Sequence, residues 1–371
     1  MSRTGENIYK RKDGRYEGRY IKGRKENGKA HYGSVYNRRY SICKELLTKA
    51  KSLNIRYQAL KVHKTGLTAD FIIYWLYSII RLNVKESTFS NYVAILDKWI
   101  KPYLGSKKLM CLCKEDIQCF VSTMTEQGLS PGSVRNVFNL LSAALKSAKE
   151  YGYHFENPCE GARLPKPKKR EAKVLTLEQQ KMLEEAARQY KNGLPIVLAL
   201  YSGMRVGEIC ALTREDVDFE KKEVNVTKTI RRIQCVELNA PTKTVLVTGP
   251  PKSNQSIRDV SLPAHMLEQL KEHLENSTSE FVFDYQGHSL EPRNLQYHFK
   301  SLLKIAGLTD INFHSLRHTY ATRCLELGFP PNTLSDILGH ASTKMTLDRY
   351  GHSQQAQRQE SMEKLDELFK A

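Results

Sequence analysis

Residues 157–173 read N-P-C-E-G-A-R-L-P-K-P-K-K-R-E-A-K, and no other stretch limits the fold so strongly. The prolines fix φ and lack a backbone donor, and the crowded cations resist burial, so the stretch is not expected inside a core. It reads as a stiff basic tether between two bodies. A polar stretch at 56–66 marks a second break. The 371 residues therefore divide into modules at 1–60, 67–158 and 173–371, each long enough for a core of its own.

In the middle module the apolar positions recur at helical spacing from 68 to 153. Helices are expected over 71–82, 87–103, 114–126 and 130–151. Ser87 and Ser130 stand as N-caps, and Pro131 takes the first helical position, where its missing donor costs nothing. The apolar run at 71–80 is bounded by Asp70 and Arg81 and is too short to span a bilayer, so a buried helix is expected there. By itself this pattern says only that a small helical bundle forms.

Charge is distributed unevenly. Residues 1–60 hold 16 Lys and Arg against five Asp and Glu, which is +11 of the chain's net +18 in about a sixth of its length. Such an excess points to a polyanionic partner. Asp13-Gly14 and Asn27-Gly28 are hairpin signals set among alternating basic and aromatic residues, so three short strands are expected over 7–36, followed by a helix over 41–53. Along the second strand Arg15 and Arg19 share one face, while Tyr16 and Tyr20 share the other. A helix covering the tyrosines would leave the arginines open to a groove of DNA, and Lys22 joins them as a candidate contact.

The eight cysteines form no C-x-x-C pair. Cys111, Cys113 and Cys119 are the one cluster, and their spacing fits no common zinc site, so buried free thiols of a reducing compartment are expected and no metal. The polar, basic N-terminus lacks the apolar segment of a signal peptide.

The third module carries the chemistry. F-H-S-L-R-H-T-Y-A-T, L-G-H-A-S and T-L-D-R-Y-G-H follow one another between 313 and 352. His314 and Arg317, three apart, can lie on one edge of a helix that Gly328 ends. Gly339 stops the next short helix and leaves His340 just beyond it. Ser342 can cap a third helix that carries Tyr350. An arginine fork matches the non-bridging oxygens of a phosphate, histidine moves a proton near neutral pH, and tyrosine can attack phosphorus and later leave as a phenolate. Upstream, in S-G-M-R-V-G-E, Gly203 lets the chain bend before Arg205, and Glu208 is placed to pair with that guanidinium. Strands are expected at K-E-V-N-V-T-K-T-I, V-E-L, T-V-L-V and S-I-R-D-V-S-L, with Lys243 and Lys252 on turns between them. Helices follow over 264–274 and 295–306. A last helix over 357–369 bears an apolar stripe of Met362, Leu365, Leu368 and Phe369.

Taken in order, H-S-L-R-H-T, L-G-H-A-S and R-Y-G-H resemble the tyrosine recombinase (phage-integrase) family, and within it the integrases of conjugative transposons and lambda-like phages. The likeness runs the whole length and is strongest over 174–369. It implies a multidomain fold: a small β-sheet-plus-helix N-terminal domain for arm-type DNA sites, an all-α four-helix core-binding domain, and a mainly α (α+β) catalytic domain whose 357–369 segment docks on a neighbouring protomer. It implies the catalytic set Arg205, Lys252, His314, Arg317, His340 and Tyr350, with Glu208 in support. Lys252 is chosen over Lys243 because the family's lysine precedes a strand of the form R-x-[IV]-x-L, which 258–262 supplies. The resemblance further implies a site-specific recombinase that cuts and rejoins double-stranded DNA through a 3′-phosphotyrosyl link, integrating and excising a mobile element. Such an enzyme works as a homotetramer on core and arm-type sites, without metal or cofactor, in the bacterial cytoplasm at the nucleoid; an excisionase and a DNA-bending protein are its expected accessory partners. Two other readings use the same residues, a type IB topoisomerase and a catalytically silent DNA-binding regulator.

Overall fold

The computed structural model describes residues 7–24, 30–48, 50, 66–150, 156–167, 173–236, 242–251, 254–340, 342, 343, 362, 366 and 369. The chain forms two compact units, one of Met1–Lys169 with Gln234–Lys243 and one of Arg170–Ile233 with Thr244–Ala371.

In the first unit, β1 (Ile8–Lys10), β2 (Tyr16–Arg24) and β3 (Ala30–Asn37) form an antiparallel sheet in that order. Gly14, at φ 79°, makes the first turn, as the Asp-Gly signal implies. Arg15 lies ahead of β2 rather than on it. The Asn27-Gly28 turn lies outside the described residues. A helix, α1 (40–48), covers one face of the sheet. Its Tyr40 ring meets Tyr16 edge-on at 5.4 Å, and Cys43 Sγ donates to the Tyr16 carbonyl at 3.4 Å. Gly18 admits the helix, since a Cβ there would lie 3.1 Å from Leu47 Cδ2. The part of the expected helix beyond residue 50 also lies outside the described residues.

Helices follow: α2 (Thr68–Ser78), α3 (Glu86–Ile95), α4 (Lys114–Glu126) and α5 (Pro131–Glu150). Phe71, Ile72, Trp75 and Leu76 of α2 are buried, and the end of the expected first helix becomes a separate 3₁₀ turn, Ile80–Leu82. Helix α3 starts one residue earlier than the serine signal suggested, so Ser87 lies inside it rather than capping it, and a π turn at Leu96–Ile100 carries it on into Lys101–Leu104. Ser130 does act at the start of α5, accepting from the Ser133 nitrogen at 3.2 Å. The tether begins as packed chain: Cys159 is buried with the helices, and Gln118 exchanges two hydrogen bonds with the Arg163 backbone.

In the second unit, Thr176 forms a capping box with Gln179 at the start of α6 (Leu177–Arg188). The buried helix α7 (Leu194–Ser202) follows. A three-stranded antiparallel sheet runs β4 (Val217–Asp218), β5 (Glu223–Val226), β8 (Arg258–Ser261), and β6 (Thr229–Gln234) pairs with β7 (Thr244–Gly249) as a separate ribbon. The single strand expected over 222–230 is thus two strands in two sheets. Strand β4 and the hairpin β9 (Asp284–Tyr285) with β10 (His288–Ser289) escape sequence periodicity because two residues per strand leave no period to detect. Helices α8 (Ala264–Glu275), α9 (Pro292–Ile305), α10 (His314–Glu326) and α11 (Pro331–Leu338) complete the described elements. Apolar residues of α6 to α9 and of β5 and β8 share one core, which reaches Leu316 of α10.

All eight cysteines are free, but only Cys43, Cys159, Cys210 and Cys324 are buried. Cys111, Cys113 and Cys119 are exposed, which corrects the expectation of buried thiols: they fall at the polar edges of a short turn and α4. Among the described residues no helix is long and apolar enough to cross a membrane.

Candidate active site

Helix α7 ends at Gly203, whose φ of 60° turns the chain sharply ahead of Arg205. That turn is closed to other residues, because a Cβ on Gly203 would lie 2.6 Å from Tyr320 Cδ1 and 2.9 Å from Leu338 Cδ2. Arg205 then opens a single helical turn, Val206–Ile209. Its Nη1 donates to Glu208 Oε1 at 2.7 Å, and its backbone nitrogen donates to Glu208 Oε2 at 2.9 Å. The pairing expected from sequence is present, with one change of emphasis. Glu208 is the deeply buried partner, 2% exposed, while the Arg205 side chain is 37% exposed.

A second guanidinium shares the carboxylate. Arg258, at the start of β8, donates from Nη2 to Glu208 Oε2 at 2.9 Å. Its Nε donates to the Ile337 carbonyl at 2.5 Å, and its Nη1 to the Ser256 carbonyl at 3.0 Å. Burial acts to raise the Glu208 carboxyl, but Arg258 and Arg205 outweigh it and hold the group below its ordinary range. A lone buried carboxylate would be costly; two charge-assisted partners make this one tolerable.

Arg317 sits on the first turns of α10 and is 2% exposed. Its Nη1 donates to the Gly203 carbonyl at 2.8 Å and its Nη2 to the Leu338 carbonyl at 2.5 Å. Arg205 Nη2 meets the next carbonyl, that of Gly339, at 3.4 Å. Gly339 ends α11 at φ 62°, and its backbone lies so near Ser256 that a Cβ would be 3.0 Å from the Ser256 Cα. His340 follows, buried, its nitrogen donating to the Ser335 carbonyl at 3.0 Å. The ends of α7, β8 and α11 therefore meet around Arg205, Arg258 and Arg317. Helix α10 is fixed from outside as well, since Thr319 Oγ1 accepts from the Leu175 nitrogen and Arg323 Nη2 donates to the Leu175 carbonyl.

Of the expected set, Arg205, Glu208, Arg317 and His340 converge here. His314 opens α10 in an exposed position, its ring edge-on to His318 at 4.6 Å. Lys252 and Tyr350 lie outside the described residues, as does most of the 357–369 segment. Among the described residues no group of three His, Cys, Asp or Glu is placed to hold a metal ion.

On the N-terminal sheet the candidate cations are tied to carboxylates. Arg15 donates to Asp13 Oδ2 from Nη2 at 2.8 Å, and Arg19 Nε donates to Glu17 Oε1 at 2.8 Å. Arg11 adds a bond to Glu17 Oε2 at 3.1 Å. Arg11 and Arg15 also lie over the Tyr36 ring, and Arg19 over Tyr9. Glu17 is 5% exposed, and Arg19 above all, with Ser34 and Arg11, lowers its carboxyl to about 2. Lys22 is on β2; its side chain lies outside the described residues.

The model of the phage integrase family matches residues 173–357, and that of the phage integrase N-terminal SAM-like domain matches 69–125. The chain belongs to the phage integrase family. Relatives of this phage integrase include a XerC-like tyrosine recombinase of Caldanaerobacter subterraneus subsp. tengcongensis, 29% identical over 94% of each chain. The transposase from transposon Tn916 of Enterococcus faecalis is 26% identical over 74% of this chain and 71% of its own. Among solved structures, the Tn1549 transposon integrase in complex with transposon right end DNA has a TM-score of 0.69 at 22% identity, covering 81% of this chain and 99% of that one. A lambda integrase tetramer bound to a Holliday junction has a TM-score of 0.58 at 20% identity, covering 91% and 96%. The mixed helical and sheet architecture is thus that of phage integrases.

Arg258 is the residue that sequence reasoning missed. It served there only as the first letter of a strand pattern. Its signal was available: Arg258 and Val260 share one face of β8, Val260 is fully buried, and an arginine on a core face requires a partner.

Proposed function

We propose that this chain is a site-specific DNA recombinase that integrates and excises a mobile element of the conjugative-transposon or phage kind. One observation carries the reading: two arginines from distant parts of the sequence, Arg205 and Arg317, meet at the C-terminal end of α11 beside His340, on a shared scaffold of carbonyls and Glu208. Two fixed guanidinium groups suit the charge that builds on the non-bridging oxygens of a phosphorane. In this mechanism the Tyr350 oxygen attacks phosphorus, the bond to the 5′-oxygen breaks, and a 3′-phosphotyrosyl link holds the bond energy. Lys252 gives a proton to the leaving 5′-oxygen, His314 assists proton transfer at the tyrosine, and His340 donates to a non-bridging oxygen. The 5′-hydroxyl of a partner strand then attacks the link and releases the tyrosine. Energy conserved in this way calls for neither nucleotide nor metal.

Three modules serve that reaction. Residues 1–60 would grip arm-type sites through Arg15, Arg19 and Lys22, and a four-helix core-binding domain over 67–158 would close on core DNA opposite 173–371. Four protomers on paired sites would be linked by 357–369, with an excisionase and a bending protein setting direction. Relatives named as recombinase and transposase favour strand exchange over single-strand relaxation.

The test is a covalent trap. A nicked duplex of the element's end is incubated with wild type and Tyr350→Phe and run on a denaturing gel. A shifted band with wild type alone supports the reading; retardation on a native gel with no covalent band would favour a silent DNA-binding protein.

A further inference from the structure

Resting on that recombinase reading, we infer that Arg258 is a positioning residue that fixes the Arg205 guanidinium through Glu208. Glu208 Oε1 takes Arg205 Nη1, while Oε2 takes the Arg205 backbone nitrogen and Arg258 Nη2. Among the described residues the Arg205 guanidinium makes one further hydrogen bond, a long one of 3.4 Å to the Gly339 carbonyl. Its orientation therefore depends on where Glu208 points, and without Arg258 that carboxylate would be held only by the residue it positions, so the pair could turn together. Arg258 removes that freedom. Its side chain is 6% exposed, and three of its donors go to three different segments: Glu208, the Ser256 carbonyl and the Ile337 carbonyl. A planar fork can hold three such acceptors in fixed directions; an ammonium cannot.

All three nitrogens of the Arg258 guanidinium donate within the protein, whereas the Arg205 side chain is more than a third exposed. One guanidinium is thus exposed toward solvent and the other anchors it from behind. Ser256 lies four residues past Lys252, and Ile337 three before His340, so the same fork ties the chain near both of those proposed catalytic residues to the Arg205 pair. The question is which of these ties governs the chemistry. Of the three acceptors only Glu208 is charged, and that carboxylate holds Arg205 at two points, so the geometry points to Arg205.

The experiment uses full-length Arg258→Lys and Glu208→Gln on three duplexes of the element's end. One carries an ordinary scissile phosphate, one a methylphosphonate there, and one a 5′-bridging phosphorothiolate. A methylphosphonate removes the charge that Arg205 would meet, and a sulfur leaving group needs no proton. Arg258→Lys is expected to cleave the ordinary duplex roughly tenfold or more slowly while its DNA affinity stays within about twofold of wild type. The deficit should shrink to within about threefold on the methylphosphonate and persist on the phosphorothiolate. Glu208→Gln should show the same pattern; if Arg258→Lys fails to fold, Arg258→Gln, which keeps an amide donor toward Glu208 but not the three-way fork, decides the matter. Equal deficits on all three duplexes would mean a purely structural role and overturn the inference. Rescue by sulfur alone would place Arg258 behind the proton donor instead, and unimpaired cleavage would remove it from the site. Absence of cleavage by wild type on the ordinary duplex would instead count against the recombinase reading itself.

Discussion

Arg205 is held to Glu208 twice, once from its guanidinium at 2.7 Å and once from its own backbone nitrogen at 2.9 Å. Arg317 is held differently, by the carbonyls of Gly203 and Leu338 in a fully buried position. The two arginines should therefore separate chemistry from stability. Arg317→Ala is expected to lower cleavage roughly a hundredfold or more and to destabilise the unit by about 2–4 kcal/mol, since buried carbonyls lose their donors. Arg205→Ala should cost a similar factor in cleavage but only about 1–2 kcal/mol, because Arg258 still neutralises Glu208. Strand cleavage and urea midpoints, measured side by side, test the split; equal stability losses would contradict it.

Gly203 offers a purely steric test. Gly203→Ala adds a Cβ in a left-handed conformation against Tyr320 and Leu338, so a loss of about 2–4 kcal/mol is expected. Gly128 has a φ of 80° but open space around it, so Gly128→Ala should cost only about 1–2 kcal/mol. Thermal midpoints of both variants check the ordering, which a larger loss at Gly128 would reverse.

Glu17 supplies a pH dependence. Its carboxyl is lowered to about 2 in the folded chain, chiefly by Arg19, from an ordinary value of 4.5. A depressed folded value means that its contribution is complete above pH 4.5 and disappears as pH falls through about 2. Glu17→Gln should accordingly destabilise the N-terminal sheet by about 1–2 kcal/mol at pH 7, with the gap to wild type closing as pH is lowered toward 2. Hydrogen exchange of β2 and β3 amides across that range reads the effect; a gap that widened on acidification would refute it.

The choice between two lysines is decided by the leaving group. Lys252→Ala should slow cleavage of an ordinary duplex by roughly a hundredfold, and a 5′-bridging phosphorothiolate should restore it. Restoration of Lys243→Ala instead would identify Lys243 as the donor.

What the sequence made legible were features written in short-range spacing. Arg205 with Glu208, Gly203 before them, the stop at Gly339 and the cap at Ser130 each involve residues within about one helical turn, where backbone geometry alone dictates contact. The strands were harder. Residues 222–230 look like one strand because Val224, Val226 and Ile230 keep one phase across Lys228, and only the pairing partners divide it into β5 and β6. Arg258 stayed hidden for the same kind of reason: its acceptors, Glu208 and the Ile337 carbonyl, are remote in sequence, and a main-chain acceptor carries no residue signature.

That last point also separates the two arginines as targets of mutation. The partner that fixes Arg205 is a side chain, and one base change in the Glu208 codon can remove it. The two carbonyls on Arg317 belong to the peptide backbone, which every residue supplies. Substitution at Leu338 can change the side chain there without deleting the acceptor, and at Gly203 it is the shape of the turn, not the oxygen, that is exposed to loss. One half of the site is thus encoded in residue identity and the other in the path of the chain.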